Sequence, residues 1–62
     1  MKSERYRVET QNSSLATWIP AHYTDDLAIA RKLMAAITEA REVWAVRLID
    51  QTTQYVLSYQ RV

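Results

Sequence analysis

The chain is short, and it lacks the covalent and metal supports that many small folds use. It has 62 residues, no cysteine and one histidine, which excludes disulfides and zinc sites built from thiolates or several histidines. A chain of this length buries only about 60% of the surface that it exposes when unfolded. We therefore expect one marginally stable domain, residues 1–62, with no metal or cofactor, that gains stability from self-association or from a partner.

Glycine is absent as well. The phosphate-binding loops of the Walker and dinucleotide types need glycine, because their backbone approaches phosphate closely and adopts positive φ angles. Both types of nucleotide site are therefore excluded. Turns in this chain are expected to use Asn, Asp, Ser and Thr instead.

The clearest periodic pattern is that of an amphipathic helix from Asp25 to about Arg41. Apolar residues fill one half of the helical wheel, and residues of mixed charge hold the other half. Thr24 is the predicted N-cap, and the acidic residues that follow it suit the positive end of the helix dipole.

Two strands are predicted before the helix and two after it. They are indicated by period-two alternation or by β-branched and aromatic content. The segments are Arg5–Thr10, Thr17–Tyr23, Val43–Ile49 and Tyr55–Tyr59. Pro20 cannot donate to a ladder, so the second strand is expected at an edge. The sequence therefore predicts an α+β fold of ββαββ order, a small antiparallel sheet with one helix packed on one face; the order of the strands in the sheet stays open.

Alternation also predicts which side of the sheet meets the helix. The even-numbered residues of the third strand are the more apolar, and a two- or four-residue hairpin loop puts Leu57 and Tyr59 on their side. In the second strand, Ile19, Ala21 and Tyr23 are expected to point inward. The predicted core consists of Leu33, Ile37, Val46, Leu48 and Leu57.

The opposite side of the sheet is the predicted working surface. Alternation places four candidate binding residues there: Arg5, Arg7, Trp18 and Arg47. Arginine and tryptophan are enriched anchors of protein interfaces, but they can also pair with phosphates and stack on bases. A net charge of +1 is low for a phosphate binder, so a protein partner is the main interpretation. Nucleic-acid binding, a structural homo-oligomer such as a homodimer, and an ordinary solvated surface are the alternatives.

Enzymatic activity is not expected. His22 lies near Asp25 and Asp26 in the sequence, and serines are available. A nucleophilic triad needs such groups oriented in a pocket with an oxyanion hole, for which one helix on a small sheet leaves little volume. The two aspartates would point about 100° apart on a helix, so they would not converge for acid–base chemistry. We predict no catalytic residues.

The predicted helix leads directly into the hairpin formed by Val43–Ile49 and Tyr55–Tyr59. This order of elements resembles several small proteins of bacteriophages and mobile elements, including some anti-CRISPR proteins. The resemblance implies a phage or prophage regulator or inhibitor that blocks a host complex by surface contact, and it transfers no functional residue. The longest apolar run, Leu33–Ile37, is too short for a membrane span or a signal-peptide core, so a cytoplasmic protein without membrane contact is expected.

Overall fold

A computed structural model describes residues 4–62, which form a four-stranded antiparallel sheet with one helix on one side. The elements are β1 Tyr6–Gln11, β2 Ile19–Thr24, α1 Leu27–Ala40, β3 Ala45–Asp50 and β4 Tyr55–Arg61. The strands lie in the order β2-β1-β3-β4, so β1 and β3 are central and the Pro20-bearing β2 is at an edge. The predicted α+β class and ββαββ order are confirmed. No helix in this part of the chain has the length and hydropathy that crossing a membrane requires.

Helix α1 is capped by Asp26 and not by Thr24. The Asp26 carboxylate accepts hydrogen bonds from the N–H groups of Ala28 and Ile29, at 2.9 and 3.4 Å. It thereby satisfies two donors of the first helical turn, which have no partner inside the helix. The Thr24 hydroxyl accepts the Asp26 N–H at 3.0 Å, so it shapes the turn that precedes the helix. The predicted cap was two residues too early.

Two residues adopt the left-handed backbone conformation that glycine normally occupies. Arg41, which ends α1, has φ 55°, and Gln54, in the β3–β4 loop, has φ 65°. The chain contains no glycine, so both positions carry a Cβ at a steric cost of roughly 1–2 kcal/mol each. The expected turn residues Asn, Asp, Ser and Thr do not fill these two positions.

The core lies between α1 and the two central strands. Its buried members are Val8, Ala30, Met34, Val46 and Leu48. The predictions for Val46 and Leu48 are confirmed, since neither has exposed surface. Leu33 and Ile37 pack against this cluster but stay partly exposed, so they lie at its margin.

Leu57 is outside the core because a β-bulge changes the facing of β4. The pairing of Ile49 with Val56 fits the predicted register, but the register then shifts, and Leu48 pairs with Ser58. Leu57 is the extra residue of the bulge and is 43% exposed. Every later residue of β4 faces the side opposite to the predicted one, which moves Tyr59 away from the helix. The predicted facing of Leu57 and Tyr59 was wrong because alternation cannot reveal an inserted residue.

A second bulge interrupts β2. The register shifts opposite Val8 and Glu9 and leaves Ala21 without a paired residue. Tyr23 pairs with Arg7 and therefore lies on the side away from the helix, contrary to the inward position predicted for it. Both edge strands thus carry a bulge, and each bulge moves a tyrosine to the uncovered side of the sheet.

The core assignment can be tested with matched leucine truncations. Leu48→Ala is expected to lower the free energy of unfolding by about 2–5 kcal/mol, because it leaves a cavity in a fully buried site. The same change at the half-exposed Leu57 is expected to cost about 1 kcal/mol or less. Urea denaturation of both variants measures the difference. Equal losses would contradict the bulge in β4.

The strained helix end gives a second prediction. Arg41→Gly is expected to raise the free energy of unfolding by about 0.5–1 kcal/mol, because the relieved steric cost exceeds the entropy cost of glycine. Ala35→Gly, an exposed position inside α1, is the matched control and is expected to lower it by about 1 kcal/mol. Thermal unfolding followed by circular dichroism measures both. A loss of stability in Arg41→Gly would contradict the left-handed geometry.

Candidate functional site

The side of the sheet that α1 does not cover, the open face, carries one connected group of charged and aromatic side chains. This open-face cluster consists of Arg7, Glu9, Trp18, Arg47 and Tyr59. Glu9 of β1 pairs with Arg47 of β3, and Arg47 pairs with Tyr59 of β4, so three of its members lie in a row across three strands. Trp18, immediately before β2, reaches the same row from the other edge.

Glu9 is the electrostatic centre of the open-face cluster. Its side chain is only 7% exposed, and its Oε1 accepts a hydrogen bond from Arg47 Nε at 2.7 Å. Its Oε2 lies 2.9 Å from Arg7 Nε. A carboxylate so far removed from water is stable only when it is paired. Two guanidinium groups flank this one carboxylate, so the three side chains together keep a positive charge.

Arg7 is held at both ends of its guanidinium group. Its Nη1 donates to Gln51 Oε1 at 3.1 Å, and Gln51 in turn donates its amide to the Glu4 carbonyl. The Arg7 Nε is buried beside Glu9, but its N–H is not aligned with the carboxylate and has no hydrogen-bond acceptor. Arg7 therefore contributes an ion pair to Glu9 without the hydrogen bond that Arg47 makes.

Arg47 also stacks on an aromatic ring. Its Cζ lies 4.3 Å from the centroid of the Trp18 ring, a cation–π contact. The Tyr59 ring meets Trp18 edge to face, with centroids 6.1 Å apart and planes at 72°. Within residues 4–62 the only hydrogen bond of the Arg47 guanidinium runs from Nε to Glu9. Its terminal nitrogens therefore keep their donors for water or for a bound partner.

Three of the four predicted binding residues come together, and Arg5 does not. Arg5 donates from Nε and Nη2 to Asp50 Oδ2, at 3.4 and 3.2 Å, and its Cζ lies 5.4 Å from the Tyr6 ring. Tyr6 and Asp50 pair with each other, and Tyr6 packs against the core. The prediction that Arg5 shares the open face was wrong, because Arg5 precedes β1 and its guanidinium turns to an acid on the helix side.

Sequence reasoning missed one member of the open-face cluster and undervalued another. Alternation predicts Tyr59 on the helix side of the sheet, and only the bulge in β4 moves it to the open face. Glu9 lies on the side of β1 that alternation predicts, the same side as Arg7. Its role as the buried link between two arginines depends on the pairing of β1 with β3, which no local pattern shows.

The pairing of Arg5 with Asp50 shifts the pKa values of both groups. The hydrogen bond from the Arg5 guanidinium lowers the pKa of the Asp50 carboxyl below its ordinary value, against the opposing effect of burial. The backbone N–H of Thr52 donates to the same carboxylate at 2.9 Å and lowers its pKa further. The hydrogen bond to Asp50 raises the pKa of Arg5 in return. This ion pair ties the start of β1 to the end of β3.

Two grooves flank α1 on the other side of the sheet. One, of about 350 Å³, lies between the helix and β4 and has Ser58 and Gln60 on its floor. The other, of about 290 Å³, runs between the helix and β2 and is lined mainly by alanine and branched apolar side chains. In the described part of the chain, no three acidic or histidine side chains lie close enough together to hold a metal ion.

The Arg5–Asp50 pair predicts a specific pH dependence. Because the folded-state pKa of Asp50 is lowered, its contribution to stability is complete above the unfolded-state pKa, near 3.8, and is lost as the pH falls through the folded-state value. Asp50→Asn is therefore expected to be less stable than the parent at pH 7, and the two are expected to converge once the pH falls below the folded-state pKa of Asp50. Urea denaturation across this pH range tests it, with the exposed Glu42→Gln as control. A difference that stays constant down to pH 2 would contradict this role for Asp50.

No family model, curated protein or solved structure matches the chain. The resemblance to small phage proteins therefore stays a prediction. The side chains of the open-face cluster are the feature of this chain that best indicates a function.

Proposed function

We propose that this protein is a non-enzymatic interaction module that binds a protein partner through its open face. The observation that carries the proposal is the fixed position of Arg47, which is hydrogen-bonded to Glu9 at 2.7 Å and stacked on Trp18 at 4.3 Å. Tryptophan, tyrosine and arginine dominate the energetic hot spots of protein interfaces. Side chains held in place before binding lose less conformational entropy when a partner arrives, so more of the contact energy becomes affinity.

The surroundings of the open-face cluster suit a protein partner. Ala45 and Ile49 form a buried floor between the longer side chains. Tyr23, Val56 and Tyr59 lie on the same side and are 44–52% exposed, which gives an apolar area next to the charged centre. Desolvated anchors within a ring of further contacts are the usual anatomy of a protein–protein interface.

Nucleic-acid binding is the second candidate, and the charge of the open face favours it. The described residues place three arginines on this face, Arg7, Arg47 and Arg61, and one carboxylate, that of Glu9. The geometry of the aromatic rings, however, is unfavourable for stacking bases. The Arg47 guanidinium already covers a face of the Trp18 ring, where a base would stack, and Arg61 similarly covers Trp44 at 4.5 Å. Glu9 also places a negative charge at the centre of the surface. A protein partner therefore fits better.

A narrower form of the proposal is a phage or prophage regulator or inhibitor that occupies the surface of a host complex. It is supported by the architectural resemblance of the helix and hairpin to small proteins of that kind. We also propose that the protein is cytoplasmic, in keeping with a sequence that contains no cysteine.

Site-specific photo-crosslinking tests the proposal in the cells from which the gene comes. A photoreactive phenylalanine analogue at Tyr23, on the open face, is expected to capture a defined protein. The same analogue at Lys32, on the exposed side of α1, is the matched control and is expected not to capture it. With the captured protein purified, Trp18→Ala is expected to weaken binding at least about 30-fold, because it removes the platform under Arg47.

The variant must keep the parental circular dichroism spectrum and melting temperature for the loss to be assigned to the surface. Identical capture from Tyr23 and Lys32, or full affinity in folded Trp18→Ala, would contradict the proposal. Tight binding of a labelled single-stranded oligonucleotide that falls steeply with salt, with no protein captured, would favour the second candidate.

A further inference from the structure

Strand β4 is an edge strand that the rest of the described chain leaves largely uncovered. It pairs with β3 on one side, and no described strand pairs with it on the other. Four of its seven residues are large and apolar or aromatic, with exposed fractions from 43 to 70%: Tyr55, Val56, Leu57 and Tyr59. An edge that combines unpaired backbone groups with exposed apolar side chains is a template for pairing with another strand.

The hydrogen bonding of β4 shows which backbone groups the free edge offers. The Val62 N–H donates at 3.0 Å to the carbonyl of the residue before β3. Residues bonded to a given neighbour alternate along an antiparallel ladder, so Gln60 and Ser58, in the same register, also bond to β3. The N–H and C=O groups of Tyr59 therefore point to the free edge.

The two edges of the sheet differ in how well they are protected. On β2, Pro20 and a bulge interrupt the edge, and both are devices that prevent unwanted strand pairing. Strand β4 contains no proline and no lysine. Its bulge at Leu57 leaves the segment from Ser58 to Arg61 in regular register. That segment is long enough for a short antiparallel ladder with a second strand.

We infer that β4 pairs with the β4 of a second copy of this chain, in an antiparallel dimer with a continuous eight-stranded sheet. The single charge of β4 favours antiparallel pairing with a second copy. Arg61 is the only charged residue of β4 and stands at its end. Antiparallel pairing centred on Ser58 or Tyr59 keeps the two Arg61 residues roughly 14–20 Å apart along the strands, from a rise of about 3.4 Å per residue. Parallel pairing in register would place them side by side.

The groove between α1 and β4 shows the same self-complementarity. Arg31 and Glu39 lie along its helical wall, eight residues apart, with Ala35 between them. That separation is about 12 Å along a helix. A two-fold axis perpendicular to the sheet reverses the second helix, so the Arg31 end of one groove faces the Glu39 end of the other. Opposite charges therefore face each other wherever the two grooves meet.

A stable dimer would need only a modest share of the exposed surface. The chain exposes 4356 Å², and a standard interface takes about 800 Å² from each partner, roughly a fifth of that surface. The dimer would bury the edge of β4, its exposed side chains and the adjoining groove wall. Burying them would give a chain without disulfides additional apolar contacts. This inference does not depend on the partner proposed for the open face, with which the dimer shares only the side chains of Val56 and Tyr59.

Single-cysteine crosslinking tests the dimer directly, because the chain has no cysteine of its own. Ser58 bonds to β3, so between two β4 strands it would occupy a non-hydrogen-bonded pair, where Cα atoms approach to about 4.5 Å and a disulfide can form. Ser58→Cys is expected to give a covalent dimer under mild oxidation if the pairing is centred on Ser58. If it is centred on Tyr59, residue 58 of one copy faces residue 60 of the other, and an equimolar mixture of Ser58→Cys and Gln60→Cys is expected to crosslink instead. His22→Cys, on the protected β2 edge, is the matched control and is expected to stay monomeric.

Sedimentation gives the second measurement. The unmodified protein is expected to approach twice its 7.3 kDa mass at micromolar concentration. Tyr59→Pro removes an N–H that points to the free edge. It is expected to raise the dimer dissociation constant about 30-fold, because two hydrogen bonds are lost in the symmetric dimer.

Trp18→Ala is the control and is expected to leave the mass unchanged, which separates this result from a failure of the open-face proposal. If Tyr59→Pro does not fold, the cysteine variants decide. A mass that stays at 7.3 kDa at all concentrations, or crosslinking through β2 alone, would overturn the inference.

Discussion

The register of β1 against β3 is the constraint on which both sides of the sheet depend. It sets Val8 beside Leu48 under the helix and Glu9 beside Arg47 on the open face. Because side chains alternate along a strand, a shift of one residue would move the charged set into the core and the apolar set into water. The free energy gained by burying the apolar pair therefore also holds the ion pair in place.

The two bulges have the opposite effect, since they release the edge strands from simple alternation. One bulge moves Tyr59 to the open face and leaves Leu57 43% exposed. The other moves Tyr23 to the open face and leaves Ala21 unpaired. The central strands thus supply the buried core of the sheet and the charged centre of the open face, while the bulges of the edge strands add tyrosine side chains to that face. A small domain can vary its edges in this way at little cost to its core.

The two proposals share only Val56 and Tyr59 and are compatible. A dimer joined through β4 would place both open faces on the same side of one extended sheet, and each would carry its own Trp18–Arg47 stack. Two equal sites on a rigid platform bind a repeated or symmetric partner more tightly than one site does, because the second contact forms at high effective concentration. Self-association would then serve stability and binding together.

The sequence by itself determined the helix, the four strands, their order along the chain and the shared side of Arg7 and Arg47, because each follows from a periodicity within one short segment. The tertiary structure decided the order of the strands, the two bulges and the turn of Arg5 toward Asp50. These depend on contacts between residues far apart in the chain, and their energies are set by pairing and burial. A local pattern records the preference of a segment, but only the assembled sheet selects its register and its neighbours.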